Sequence, residues 1–344
     1  MLIQNKDEAL KRDKLRYEKP LVYEKTLKFK EKFEKGESIA IIQHQLDYAC
    51  NFKCTHCSIK GRIDPKRPKL TLDEIRNVAD QADALGLARW VLTGGEPLIY
   101  PHLDKLIEAI DPKRFYISCD TNGWFLDYAK ADWLKSIGVD RIQLSIDGLT
   151  SEVHDKWRKS PGSWRRCMYA IDNTLEVGMS LFIQTCVTRS RLHSKEFIDF
   201  LDYFTNRDIG VFVTFAKPIG AFENHLSDLI TKEDLKYFRQ LEEKYKTFSH
   251  LTPAYGIDQG CIAVKCMVTL TPYGDVLGCQ YMPFSIGNVR ITPLKEIIEN
   301  GQKVKWFGQH IDHCPIADDL DFIYTNIVPN YGREFPIPCE EMIC

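Results

Sequence analysis

The 344-residue chain carries 46 Lys and Arg against 48 Asp and Glu, a formal net charge of −2, so no basic excess marks it for a nucleic-acid partner. Hydrophobic residues at 44% and charged residues at 27% are ordinary for a globular protein, and the length suits one large core plus a small second unit. No apolar run approaches the roughly 20 residues of a bilayer span and the N-terminus lacks a signal peptide's apolar core; we therefore expect a cytoplasmic chain without a membrane partner, in which 12 cysteines point to metal or redox chemistry rather than to disulfides.

Residues 1–37 mix Lys and Glu with sparse apolar positions, as in Lys28-Phe29-Lys30-Glu31, and read as a charged helical arm, a solvated helix packed on the body of the protein. From 38 to about 220, short apolar strands alternate with helical stretches, the pattern of parallel βα units. Strands are expected at Ile39–Leu46, Trp90–Thr93, Phe115–Cys119, Ile142–Ile146, Leu181–Val187 and Val211–Phe215. A helix starts at Thr71, with Glu74 three residues on to complete a capping box. Six such repeats suit an α/β fold, a partial (β/α)6 TIM-like barrel, whose chemistry gathers at the C-terminal ends of its strands. Residues 221–255 read as a linker with a helix capped at Thr231, and 256–344 as a small C-terminal β-hairpin/helix domain whose turn is Tyr273-Gly274-Asp275.

Every chemically suggestive motif falls at a strand end. After the first strand come Cys50, Cys54 and Cys57, three thiols on one loop. Zinc in a closed site normally takes four protein ligands, whereas three cysteines leave an iron-sulfur cluster with one iron open. Gly94-Gly95-Glu96-Pro97 follows the second strand; glycines let a ligand approach the backbone and the carboxylate can accept from an ammonium group, although the tetrapeptide alone would be only a turn. The third strand runs into Thr121-Asn122-Gly123, a strong turn signal. On the fourth, Ser145 and Asp147 alternate onto one side. Arg158 has the fork for a carboxylate. On the fifth, Gln184 and Cys186 share a face, so Cys186 is either a hydrogen-atom donor or a buried small hydrophobe. Lys217, after the sixth, stands where a substrate would enter.

The cysteine loop, with His56 between its second and third thiols, and the Gly94–Pro97 strand end resemble the signatures of the radical S-adenosylmethionine (SAM) enzymes. The resemblance implies that Cys50, Cys54 and Cys57 hold a 4Fe-4S cluster and that SAM is met by Gly94, Gly95, Glu96, Thr121, Asn122, Ser145, Asp147 and Arg158. Farther on, Cys261-x12-Gly274-x4-Cys279 and Ile286-Gly287-Asn288-Val289 resemble the auxiliary-cluster domain of a radical SAM subclass, the SPASM or shorter twitch form. The later tightly spaced cysteine series of the full form is missing, so one auxiliary 4Fe-4S cluster is expected, on Cys261 and Cys279 completed from Cys314, Cys339 and Cys344; Cys261, Cys266 and Cys279 with an open iron is the alternative set.

The implied activity is reductive cleavage of SAM to a 5′-deoxyadenosyl radical that abstracts a substrate hydrogen. Oxidation (dehydrogenation) or epimerisation of a small biosynthetic metabolite is the leading expectation, with Cys186 and Lys217 as candidate catalytic residues. An electron donor such as flavodoxin or ferredoxin is implied. Modification of a ribosomal peptide, a cofactor-pathway cyclase with a substrate-binding second cluster, and a non-catalytic zinc scaffold are the alternatives.

Overall fold

The computed structural model describes residues 13–343. All six expected strands form, each bounded within two residues of its sequence reading: β1 Ile41–Gln45, β2 Arg89–Thr93, β3 Tyr116–Thr121, β4 Arg141–Ser145, β5 Ser180–Val187 and β6 Gly210–Phe215. They pair in parallel in sequence order. Strict alternation marks β2, β4 and β5. On β5, Leu181, Ile183, Thr185 and Val187 are buried, while Phe182, Gln184 and Cys186 are only half-buried, because their face looks into the barrel lumen, which is incompletely filled. Helices between the strands cover the outer face. The one over Leu72–Ala84 is closed at its start by the expected box, Thr71 with Glu74, and a second box, Thr231 with Asp234, opens the helix Lys232–Lys244.

Two stretches differ from their sequence reading. The segment 221–255 is more than a linker: after its helix comes β7, Thr247–Ser249, which pairs in parallel with β6. Three residues flanked by polar sequence give no apolar run to detect. The C-terminal hairpin, β8 Met267–Leu270 and β9 Asp275–Leu277, adds to the barrel sheet itself, with β8 parallel to β1 in the register Ile41↔Met267 to His44↔Leu270. Then β10, Phe284–Asn288, and β11, Ile337–Pro338, complete one eleven-stranded sheet in the order β11-β10-β9-β8-β1-β2-β3-β4-β5-β6-β7.

The N-terminal arm packs on the barrel floor, through helices Pro20–Leu27 and Phe29–Glu34, and buries Val22 and Phe29. Its lysines bind backbone: Lys19 Nζ donates to Phe115 O (3.0 Å), Lys25 Nζ to Leu87 O (3.1 Å) and Arg114 O (2.8 Å), and Lys32 Nζ to Leu85 O. Charge alone read as solvation; these ammonium groups instead satisfy carbonyls at the strand entries. Among the described residues no helix is long and apolar enough to cross a membrane.

Candidate active site

The loop of Cys50, Cys54 and Cys57 is clamped by four neighbours at the upper end of the barrel. From the end of β2, Gly95 N donates to Asp47 O (2.7 Å) and Glu96 N to Ala49 O (3.0 Å). A Cβ on Gly95 would lie 1.8 Å from Ala49 O, and one on Gly94, whose φ is +123°, would lie 2.3 Å from Asp47 O; glycine is required there because the cysteine loop itself presses on the strand end. From the β3 side, Asn122 Nδ2 donates to Asn51 Oδ1 (2.9 Å). Thr55 donates from N and Oγ1 to Trp157 O, both at 3.0 Å, and Ala221 N donates to Cys57 O (2.8 Å). The loop is thus fixed before anything binds it.

Beneath it lie two buried acidic centres. Glu96 Oε1 accepts from Thr121 Oγ1 (2.6 Å) and Leu98 N (3.0 Å), and Oε2 from Asn122 N (2.8 Å). Burial nonetheless raises its carboxyl above the usual range. Glu96 and Thr121 therefore brace the ends of β2 and β3 against each other while lining the cavity. Asp147 Oδ1 accepts from Cys186 N (2.8 Å) and Thr185 Oγ1 (3.2 Å), and Oδ2 lies 2.7 Å from Arg158 Nε. That N–H is not aimed along the contact, so the pair is ionic rather than hydrogen-bonded. Burial favours the protonated acid, but Arg158 together with His56, Arg191 and His154 outweighs it and holds Asp147 well below the ordinary carboxylate range. Arg158 Nη1 also lies 3.9 Å from Cys54 Sγ. Arg158, expected as a fork for the SAM carboxylate, is thus already partnered by Asp147 and by a thiol.

One cavity joins these groups except Asp147, which lies behind its wall. It is bordered by Cys50, Cys54, His56 and Cys57, by Gly94, Gly95, Glu96, Thr121, Asn122, Ser145 and Arg158, and on its far side by Asp120, Gln184, Cys186, Thr214, Lys217, Gln280 and Tyr281. The three thiols border it without converging: among the described residues no three His, Cys, Asp or Glu side chains meet closely enough for a single ion. That donor set, three thiols around an opening with no fourth, fits a cube of irons with a free corner better than one tetrahedral metal. Burial pushes the Cys50 thiol up to about 12 and raises Cys54 despite the pull of Arg158, so metal binding here displaces protons.

Cys186 stands on the luminal face as alternation required, and burial pushes its thiol up to about 12; at neutral pH it carries its hydrogen. Cys119 and Cys167 are in the core. Lys217 is 5% exposed, donates from Nζ to Phe215 O (2.8 Å) and lies 4.3 Å above the Tyr281 ring. Four of these cavity residues, Asp120, Thr214, Gln280 and Tyr281, were not singled out from sequence. Asp120, whose carboxyl burial pushes up to about 7, is flagged only by alternation with Thr121's neighbours on β3; Gln280 and Tyr281 follow Cys279 directly, and that adjacency was the available signal.

The C-terminal thiols divide into groups. Cys261, Cys279 and Cys314 lie within electrostatic range of one another and of Lys217. Arg62 is in range of both Cys57 and Cys279, and its Nη1 donates to Gln280 O (3.1 Å). Cys266 packs with Val22, Phe29 and Ile39 on the floor and is within electrostatic range of Cys261. Cys339 has Glu340 as its charged neighbour and packs against the same core as Cys261 and Cys314. Cys344 lies outside the described residues.

Comparison with protein-family models matches residues 47–204 to the radical SAM superfamily and residues 261–317 to SPASM, an iron-sulfur cluster-binding domain; together they take in more than half of the chain. The AdoMet-dependent heme synthase of Methanosarcina barkeri is 25% identical over 302 residues, 76% of this chain and 82% of that one. The mycofactocin maturase MftC of Mycobacterium tuberculosis is 26% identical over 278 residues, 75% and 70% of the two chains. Among solved structures, Streptococcus suis SuiB bound to its precursor peptide SuiA superposes with a TM-score of 0.61 at 17% identity, covering 79% of this chain and 67% of that one; at that identity the likeness is one of fold.

Proposed function

This chain belongs to the radical SAM enzymes that carry a SPASM domain, which bind SAM and a 4Fe-4S cluster, with further iron-sulfur clusters implied by SPASM, and we propose that it uses them to remove a hydrogen from a small biosynthetic metabolite and return one on another face, an epimerisation. When reduced, the bound cluster and SAM supply a 5′-deoxyadenosyl radical. Cys50, Cys54 and Cys57 would hold the cluster, and Arg158 would offset the charge at Cys54. Gly94, Gly95, Ser145 and Asn122 form the wall that SAM lies against; Glu96, Thr121 and Asp147 keep that wall rigid, so little ordering remains for the moment of binding.

The observation that carries the reading is that the Cys186 thiol opens on the same cavity as Cys50, Cys54 and Cys57. Its neutral S–H is the state from which a hydrogen atom, not a proton, is given: the S–H bond breaks, a substrate C–H bond forms, and a sulfur radical stays on Cys186 until the external reductant supplies one electron and solvent one proton. A second reading, oxidation, is favoured by Asp120. Dehydrogenation requires the substrate radical to lose an electron, which an oxidised auxiliary iron-sulfur cluster would accept, and a proton, which a cavity carboxyl near 7 is suited to take.

Anaerobic reconstitution tests all of this without the substrate. With SAM, dithionite and D2O, 5′-deoxyadenosine should form and carry one deuterium drawn from the exchanged Cys186 thiol; Cys186→Ala should form it unlabelled. Label that survives Cys186→Ala would refute the role of this thiol, and zinc without SAM cleavage would refute the enzyme reading.

A further inference from the structure

Cys261, Cys279 and Cys314 supply three donors, whereas a closed iron-sulfur cube takes four. Of the other described thiols of the domain, Cys266 packs on the barrel floor within electrostatic range of Cys261, and Cys339 has Glu340 as its charged neighbour. His313, next in sequence to Cys314, has both ring nitrogens against carboxylates, Nδ1 at 2.9 Å from Asp312 Oδ1 and Nε2 at 3.3 Å from Asp319 Oδ2.

One side chain in this region has an unmet bonding requirement. Asp318 is 8% exposed. Its Oδ2 accepts from Cys314 N (3.3 Å), while Oδ1 is buried and meets no donor. A buried carboxylate oxygen left bare is costly, because it has lost its water and gained nothing. Cys314 precedes the short helical turn Pro315–Asp318 and receives Asp318 N on its own carbonyl (3.1 Å), so residues 314 and 318 stand on one face of that turn. Asp318 is also a charged neighbour of Cys261 as well as of Cys314. Lys217 faces the same thiols and offsets added negative charge.

Resting on the assignment of an auxiliary cluster to this domain, we propose that Asp318 Oδ1 is its fourth protein ligand, giving a three-cysteine, one-aspartate cube rather than a four-cysteine one. Oxygen is a harder donor than sulfur, and one iron of the four is thereby electronically distinct from the rest.

The test uses the full chain with Cys50, Cys54 and Cys57 all replaced by Ala, so that any cube present is the auxiliary one. After anaerobic reconstitution this parent should hold about four irons and keep them through mild ferricyanide oxidation. Adding Asp318→Ala should lose one iron in four and give the electron paramagnetic resonance (EPR) signal of a three-iron cluster. Adding Asp318→Cys should restore all four irons with EPR g-values shifted from the parent's. Should Asp318→Ala lose every iron, restoration by Asp318→Cys still supports ligation, and failure of that rescue overturns it. An Asp318→Ala protein with the parent's iron content and spectrum also overturns it. A parent without iron overturns the auxiliary-cluster assignment itself, a result separable from the others.

Discussion

The two groups of cysteines on this chain are built in opposite ways. Cys50, Cys54 and Cys57 occupy one loop, and the fold's task is to hold that loop still, through Gly95, Asn122, Trp157 and Ala221. Cys261 and Cys279 flank the β8–β9 hairpin, and Cys314 joins them from a separate turn. The first group is a property of local sequence placed by tertiary structure; the second adds to a hairpin pair, legible in its spacing, a thiol that only tertiary structure brings. Both meet a cation between them, since Arg62 reaches Cys57 and Cys279, and Lys217 reaches Cys186 and Cys279. Positive charge there stabilises the electron-rich state of whatever each group holds.

The largest expected effects set the groups against each other. Cys54→Ala should reduce 5′-deoxyadenosine formation to the level of a no-enzyme control, whereas Cys314→Ala should lower iron content and keep SAM cleavage; equal loss in both variants would erase the distinction between them. Next comes the buried ion pair. Asp147→Ala leaves Arg158 uncompensated beneath the first loop and should cost about 3–5 kcal/mol in denaturant unfolding. Gly95→Ala drives a methyl into Ala49 O and should cost about 1–3 kcal/mol, with lost iron at the first group and none at the second.

Per histidine and per pH unit, the smallest effect concerns acid. Burial lowers His154 to about 4 and His44 to about 3, and both flank the first group's scaffold: Asp147 N donates to His154 Nδ1 (3.1 Å), and His44 lies on β1. In the unfolded chain a histidine takes its proton near 6.5, in the fold only far lower. Their contribution is thus complete above about pH 6.5 and declines as pH falls toward 4, on the order of 1 kcal/mol per unit for each. Thermal melts between pH 7 and 4 should show that decline, and His44→Gln should flatten it.

Much of this was legible because it is local. Six strands announced themselves by apolar runs, two helix starts by their boxes, and the first cysteine loop by spacing. Partnership was not legible. Nothing in Gly94-Gly95-Glu96 says that its glycines yield to Asp47 and Ala49 or that Glu96 is spent on Thr121 and Asn122. Arg158 read as a free fork because its acid lies eleven residues earlier across a strand end. Lys19, Lys25 and Lys32 read as solvated because a carbonyl that needs a donor leaves no mark on composition.

The seam between β1 and β8 has a practical corollary for anyone wishing to recombine such enzymes. Four residue pairs, Ile41↔Met267 to His44↔Leu270, stitch the tail to the strand that launches the first cysteine loop. A chimera joined near residue 256 inherits a foreign stitch at that strand, and a truncation there bares a raw sheet edge inviting aggregation. Swapping tails therefore demands a matched ladder as well as matched thiols.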